Sequence, residues 1–286
     1  MVRKFPCLLL LLFAVVLQVT AQDTRMIRGV IVDKDGQGLP YVSIGIVNTP
    51  YGTVSDESGN YKMQLPAAAK AKDSLKFSCI GYDSRTVLVG NIVREFLPVK
   101  MDIVPMVLNE VMVKPTHTET EIIGITHKKG MMANNFAISG EAGQNLGAEI
   151  GERFELGGER NFLDTLNVFV NANSFDTVAF RINIYNIQNG MPGKSLLDRN
   201  IWFTLFNQDK GWIALDLKPY HLVFDEDVIV SLQWIRHSQK GTALSLPITI
   251  PALGHVHYYK FGSQGVWKKY TNMATSMNLK VEQEIK

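Results

Sequence analysis

Residues 41–46 read Tyr-Val-Ser-Ile-Gly-Ile and place an apolar side chain at every second position. Because successive side chains of a β-strand point to opposite faces, this alternation predicts a strand with one face in a hydrophobic core. The same period recurs at residues 75–79 and 97–101, and runs rich in glycine and aspartate separate these segments. We therefore expect about seven strands between Met26 and Val113, which is the density of a small β-sandwich.

The period of two resumes in longer segments toward the C-terminus. Apolar residues occupy alternate positions in residues 166–170, 180–184 and 228–234, and Asn-Gly and Pro-Gly turns lie between such segments. Neither half shows the 3.6-residue period of an amphipathic helix. The fold class is therefore predicted to be all-β, with two antiparallel β-sandwiches in tandem. The second, over residues 122–284, is expected to be larger and jelly-roll-like.

Two further segments complete the predicted domain organisation. Residues 1–21 combine a short basic start, an apolar run and small residues before the expected cleavage point, which predicts a secretory signal peptide. An uncleaved membrane anchor is the alternative, but the apolar run is shorter than the roughly 20 residues that span a bilayer. Residues 114–121 are polar, rich in threonine and contain a proline, which predicts a linker between the sandwiches.

Composition restricts the function classes. The chain has 286 residues with 29 Lys+Arg against 27 Asp+Glu, so it lacks the cationic surplus of a nucleic-acid-binding protein. Removal of the signal peptide would leave Cys79 as the sole cysteine, which excludes an internal disulfide. Cys79 shares its strand face with Leu75 and Phe77, so a packed thiol is favoured over a catalytic one.

The first half resembles a known family. The resemblance rests on Gly29–Asp33, Gly36, Leu39-Pro40, Val42, Ile44, Gly52-Thr53, Ser55-Asp56, Gly59, Tyr61, Leu65-Pro66 and Ser78–Tyr82. In this order, these residues resemble the carboxypeptidase regulatory-like domain over residues 26–113. The segment Leu108–Val113 is similar to the one that follows this domain in many exported proteins of Bacteroidetes. The resemblance implies a seven-stranded, transthyretin-like or immunoglobulin-like sandwich that acts as an accessory or docking module without catalytic residues.

The second half has a weaker resemblance. Residues 176–234 are similar to a domain of uncharacterised exported proteins and, in outline, to carbohydrate-binding sandwiches. Its repeated features are core and turn positions that many sandwiches share, so the resemblance supports a fold and leaves the ligand open.

Motifs for catalysis are missing from the sequence. It has no nucleophile elbow, no His-Glu-x-x-His, no phosphate-binding loop and no Cys-x-x-Cys pair. His255 and His257 share one strand face and are weak metal candidates, but the prediction is unligated imidazoles and no metal. Asp33, Asp35 and Asp56 could be read as calcium ligands, yet their spacing is typical of hairpin turns. We predict no cofactor and no enzymatic activity.

Aromatic residues suggest where a ligand could bind. Tyr258, Tyr259, Trp267 and Tyr270 lie on either side of a glycine-containing turn and are predicted to line a ligand face, because exposed aromatic rings pack against sugars and proteins. The three other tryptophans, Trp202, Trp212 and Trp234, border apolar strands and are predicted to be core or core-edge residues.

The sequence as a whole predicts a non-catalytic binding or scaffolding protein of the cell envelope. Export places it in the periplasm or at the cell surface, associated with the outer membrane, and no transmembrane segment is expected after signal cleavage. The expected partner is an envelope glycan or an envelope protein. Two alternatives stay open. One is a glycan or peptide hydrolase with its site in the second sandwich, built from strand-end acids such as Asp225 or from the His255/His257 pair. The other is an accessory subunit of a TonB-type outer-membrane assembly that docks peripherally by strand addition.

Overall fold

The computed structural model describes residues 25–104, 117–127, 130, 132–137, 145–157 and 160–285. Within these ranges the protein is built from 23 strands, and its helical segments are two single 3₁₀ turns at Val89–Asn91 and Lys218–Tyr220. The all-β prediction is confirmed. No helix among the described residues is long and apolar enough to cross a membrane. The predicted signal peptide at residues 1–21 lies outside the described residues.

Seven strands form the first sandwich, as the alternation predicts. They are β1 (Arg25–Val32), β2 (Ser43–Ile46), β3 (Gly52–Val54), β4 (Asn60–Leu65), β5 (Ser74–Ser78), β6 (Arg85–Leu88) and β7 (Val99–Lys100). One sheet has the order β4-β1-β7 and the other β3-β2-β5-β6. The pairing is antiparallel except between β1 and β7, which run parallel, so the prediction of purely antiparallel pairing is corrected at this edge.

The core of the first sandwich contains the predicted apolar positions. Ile44, Leu75 and Phe77 are fully buried in it. The turns between its strands use aspartate side chains: Asp56 Oδ1 accepts hydrogen bonds from the backbone N–H groups of Ser58 and Asn60 at 2.9 and 2.8 Å. Such bonds hold the tight turn that a hairpin needs, as predicted for this motif.

Sixteen strands form the second sandwich. They are β8 (Thr118–Gly124), β9 (Met132–Asn135), β10 (Glu149–Phe154), β11 (Asn161–Val170), β12 (Ala172–Asn173), β13 (Thr177–Gln188), β14 (Met191–Ser195), β15 (Ile201–Phe206), β16 (Gly211–Asp216), β17 (Val223–Phe224), β18 (Val228–His237), β19 (Leu244–Thr249), β20 (Val256–Lys260), β21 (Trp267–Thr271), β22 (Ala274–Thr275) and β23 (Met277–Glu284). The large sheet has the order β14-β13-β18-β10-β20-β21, with β15 beside β13. It faces two smaller sheets, β16-β11-β23-β8 with β17 beside β11, and β12-β19-β22 with β9 beside β19.

The core of the second sandwich lies between these sheets. Phe180, Ile182 and Ile184 from β13 pack there with the inward residues of β18, which end at the fully buried Trp234. The predicted inward series at residues 180–184 and 228–234 is therefore observed. Both strands are buried on their other face as well, since Arg181, Asn183 and Gln233 are each less than 5% exposed.

The predicted linker needs correction at its C-terminal end. Residues 114–116 lie outside the described residues, but Thr118–Glu121 belong to β8, where Glu121 pairs with Val281 of β23. The second sandwich therefore includes residues earlier than the predicted start at 122. The prediction of a linker was based on polar composition, and an edge strand exposed to solvent has the same composition as a linker.

Candidate functional site: the cleft between the two sandwiches

Arg181 joins the two sandwiches. Its guanidinium donates hydrogen bonds to the Tyr41 carbonyl oxygen at 2.9 Å and to Ser43 Oγ at 2.6 Å, both in the first sandwich. It also donates to Gln233 Oε1 at 3.0 Å and to Asn200 Oδ1 at 3.2 Å in the second. All four acceptors are neutral, so the burial of this cation is compensated by hydrogen bonds to uncharged oxygens.

The loop that follows β20 makes a second connection. Gln264 Nε2 donates to Ser78 Oγ at 2.7 Å, and the Gln264 carbonyl accepts the Asn48 N–H at 3.0 Å. Gly262 has a φ of +78°, and a side chain there would place its first carbon 2.3 Å from the Pro50 carbonyl oxygen. The first sandwich thus fits closely against this loop, and contacts between the sandwiches extend well beyond a single linker.

A cleft of about 680 Å³ opens beside these connections. The first sandwich contributes β1, β3 and β4, and the second contributes the end of β18. Its lining consists of Arg28, Gly29, Thr53, Val54, Ser55, Asp56, Asn60, Tyr61, Lys62, Phe96, Leu146, Ile235, Arg236 and His237. A cleft of this volume at a domain junction, with mixed apolar and polar walls, is typical of a ligand site.

Glu57 lies at the rim of the cleft and connects its two sides. Its Oε1 accepts a hydrogen bond from the Tyr41 hydroxyl at 2.9 Å and pairs with the Arg236 guanidinium. Burial, together with the bond to Glu57, raises the pKa of Tyr41. Arg236 belongs to the second sandwich and Glu57 to the first, so this ion pair bridges the cleft.

A buried carboxylate lies further along the same face of the large sheet. Glu149 Oε1 accepts hydrogen bonds from Asn183 Nδ2 and the Tyr185 hydroxyl, both at 2.8 Å, and from the Ser231 hydroxyl. Its Oε2 lies 2.6 Å from Lys260 Nζ. Burial raises the pKa of Glu149, but the Lys260 ammonium and these hydrogen bonds lower it by more, so the net pKa lies below its usual value.

The four predicted aromatic residues do not share one face. Tyr258 and Trp267 lie on the face of β20 and β21 that also bears Lys260, whereas Tyr259 and Tyr270 lie on the opposite face. The prediction of a single face is corrected because Tyr258 and Tyr259 are neighbours in one strand and must point apart. Whether any of the four binds a ligand stays a prediction.

The four aromatic residues have different surroundings. Tyr258 is buried, and its hydroxyl donates to the Gly190 carbonyl at 3.0 Å. Burial raises the pKa of Tyr259 to about 12. Trp267 is half-buried, with Lys260 Nζ 4.7 Å from its ring centroid. Tyr270 is exposed and lies beside the imidazole of His257.

The two predicted histidines lie on either side of a buried carboxylate. His255 Nδ1 is 3.7 Å from Glu152 Oε1, and this carboxylate raises the pKa of His255. His257 is buried, with Nδ1 2.9 Å from Thr275 Oγ1 and Nε2 3.1 Å from Asn134 Nδ2. Both ring nitrogens of His257 therefore have neighbours for hydrogen bonding. In the part of the chain that the structure describes, no group of three or more His, Cys, Asp or Glu side chains is arranged to hold a metal ion.

Two of the tryptophan predictions are wrong. Trp202 is 44% and Trp212 40% exposed, while Trp234 is fully buried as predicted. Trp202 lies on the outer face of β15, where its ring packs edge-on against Tyr41 of the first sandwich. Trp212 is on β16, the edge strand of its sheet, and packs against Phe169. Their positions on outer strands, which the sequence does not show, explain the exposure.

Sequence reasoning missed the residues of the cleft and of the interface. Arg181, Gln233 and Glu149 occupy the outward positions of strands, where alternation predicts solvent. Arg28 and Lys62 are far apart in sequence and meet only through the pairing of β1 with β4. No local pattern distinguishes these residues from ordinary surface charges.

The solved structures found by comparison have low sequence identity and low structural similarity to this chain. A variant of the major pilin subunit of Bacillus cereus and that subunit itself are 7% and 9% identical to this chain. Each alignment covers 88% of this chain and 69% of the pilin, with a TM-score of 0.20. A structure of infectious bursal disease virus, Gx strain, is 9% identical over 92% of this chain and 63% of that one, with a TM-score of 0.22.

A family model matches the first sandwich. None of the curated proteins matches the chain. Residues 27–113, however, match the model of the CarboxypepD_reg-like domain, almost the same range as the resemblance drawn from the sequence. The seven strands and their two sheets fall within this range apart from the first residues of β1. Residues 27–113 of this protein are therefore a CarboxypepD_reg-like domain.

Proposed function

We propose that the protein is an exported, non-catalytic binding protein of the cell envelope that recognises a glycan in the cleft between its two sandwiches. The observation that supports this most is the cleft itself, which is lined by residues of both sandwiches. Arg181 and the Gln264 loop fix the two walls relative to each other, and a fixed cleft lowers the ordering cost of binding. The family of the first sandwich agrees with an accessory or docking role.

The chemistry of the walls favours a saccharide. Phe96 is 55% exposed at the cleft and offers a flat apolar ring. Asn60, Thr53 and the charged residues of the lining supply hydrogen-bonding groups around it. Sugars combine apolar ring faces with hydroxyl edges, so they fit a site that pairs an aromatic ring with polar neighbours.

Replacing Phe96 with alanine tests the site. We expect binding of the full-length protein to its best oligosaccharide, found on a glycan array and measured by calorimetry, to weaken about tenfold because the stacking surface is lost. Phe206→Ala is the matched control, since Phe206 is 56% exposed and lies outside the cleft lining. This control should leave the affinity unchanged.

Other results would overturn the proposal. Equal weakening by both variants would place the binding site elsewhere. An array without any bound glycan, together with specific co-purification of an outer-membrane protein, would favour the docking alternative. Shortening of the bound oligosaccharide during incubation, detected by mass spectrometry and abolished by Glu152→Gln, would favour a hydrolase.

A further inference from the structure

Two cations face each other without a counterion in the wall of the cleft. Arg28 on β1 and Lys62 on β4 are directly opposite in an antiparallel pair, and both line the cleft. Like charges at directly opposed positions of neighbouring strands are destabilising. The next residue pairs on this face, Met26 with Gln64 and Val30 with Asn60, contain no carboxylate to offset the repulsion.

The acids of the cleft lining and of its rim are engaged elsewhere. Asp56 accepts hydrogen bonds within its own turn, from Ser58 and Asn60. Glu57 pairs with Arg236 across the rim of the cleft. Among the described residues, neither Arg28 nor Lys62 lies within ion-pair distance of a carboxylate.

The lining as a whole is cationic. Arg28, Lys62 and Arg236 in the lining face the carboxylates of Asp56 in the lining and Glu57 at the rim, which leaves a net formal charge of +1 with His237 neutral. Because Glu57 is paired with Arg236 and Asp56 is bonded within its own turn, the uncompensated positive charge is that of Arg28 and Lys62. A concave site with a surplus of one sign of charge attracts ligands of the opposite sign.

From this arrangement we infer that the ligand of the cleft is an acidic oligosaccharide. A carboxylate or sulfate of the sugar lies between the Arg28 guanidinium and the Lys62 ammonium, which relieves their repulsion. The guanidinium fork suits such an anion, and charge-assisted hydrogen bonds are stronger than neutral ones. Arg28 and Phe96 form an isolated β-bridge, so the exposed ring of Phe96 lies next to Arg28. This ring stacks on the sugar. This inference rests on the proposed function, which requires only that a glycan bind in the cleft.

Calorimetry with matched ligands tests the inference on the full-length protein. The probes are an oligomer of galacturonic acid, its fully methyl-esterified form of equal length, a heparin-derived oligosaccharide with its desulfated, carboxyl-reduced and N-acetylated form, which is neutral, and poly-L-glutamate. We expect an acidic oligosaccharide to bind at least tenfold more tightly than its neutral partner, with an affinity that falls as the salt concentration rises.

Variants of the protein test which residues cause the preference for an acidic oligosaccharide. Lys62→Glu and Arg28→Met should each weaken binding of the acidic oligosaccharide by tenfold or more. Lys268→Glu makes the same change of charge at an exposed residue of β21, outside the cleft lining, and should change the affinity less than twofold. Thermal unfolding of each variant by circular dichroism confirms that the fold is retained before the affinities are compared.

The outcomes separate the two proposals. Equal affinity for the acidic and neutral forms, with the Phe96→Ala loss intact, would overturn the inference and leave the glycan-binding function standing. Binding of poly-L-glutamate alone would overturn both, and so would an absence of binding to every oligosaccharide. Equal losses with Lys62→Glu and Lys268→Glu would show long-range charge attraction and overturn the assignment to Arg28 and Lys62.

Discussion

Replacing Arg181 with methionine is expected to lower the free energy of unfolding by about 3 kcal/mol and to separate the unfolding of the two sandwiches. Methionine removes the donors for Tyr41, Ser43, Gln233 and Asn200, but Ser43 Oγ keeps a hydrogen bond from Gln233 Nε2, and Asn200 is only partly buried. The Tyr41 carbonyl and Gln233 Oε1 are left without a donor, and each buried acceptor without a partner costs about 1–3 kcal/mol. The first of these two acceptors belongs to one sandwich and the other to the second. In calorimetry, the single transition expected for the wild type should therefore broaden or split into two.

Arg199→Met is the control for this prediction. Arg199 is exposed and pairs with its neighbour Asp198, and the loss of such a surface pair costs less than about 1 kcal/mol. If Arg181→Met changed the stability no more than Arg199→Met, the interface around Arg181 would not couple the two sandwiches. The loss of coupling should also increase cleavage between the sandwiches in limited proteolysis.

Replacing Glu149 with glutamine is expected to destabilise the protein by about 3–5 kcal/mol, because removal of one partner leaves the buried ammonium of Lys260 without compensation. The new amide would also direct hydrogen atoms toward groups that now donate to the carboxylate, such as Asn183 and Tyr185. Chemical denaturation at neutral pH measures the difference. Asp35→Asn breaks the exposed pair with Lys34 and should cost less than about 0.5 kcal/mol.

The same carboxylate makes stability depend on pH. The pKa of Glu149 is lower in the folded protein than its value of 4.5 in the unfolded chain, so protonation favours unfolding. Its contribution is fully present above about pH 5 and decreases as the pH falls through 4.5 and then through the folded-state pKa. The difference in stability between wild type and Glu149→Gln should therefore shrink between pH 7 and pH 3. A constant difference over this range would contradict the assigned role of the charge.

Much of the fold could be predicted from local patterns. The alternation at residues 41–46 and 75–79 reflects burial of one strand face, and Ile44, Leu75 and Phe77 are indeed buried. Turn residues such as Asp56 act through hydrogen bonds within a few residues of their own position, so they too can be interpreted locally. The linker prediction was wrong at residues 118–121, because β8 acquires its partner from β23, more than 150 residues away.

The candidate site could not be predicted in the same way. Alternation assigns Arg181, Gln233 and Glu149 to an outward face, and it cannot tell whether that face meets solvent or another domain. The packing of the first sandwich and the loop after β20 against this face turns outward polar residues into buried ones. Likewise, the predicted aromatic group failed as a single face because neighbours in one strand point apart, and the turn between β20 and β21 pairs Trp267 with Lys260.

The class of the fold and the inward face of the longer strands could be inferred from the sequence alone, because they depend on side-chain period and on turns a few residues long. The range of the CarboxypepD_reg-like domain followed from the resemblance of residues 26–113 to that family. The structure in three dimensions was needed to show that Arg28 and Lys62 lie side by side, that two separate chain segments line one cleft, and that Arg181 and Glu149 are buried. Such features depend on register and packing between distant residues, because charges interact through space and not through position in the chain.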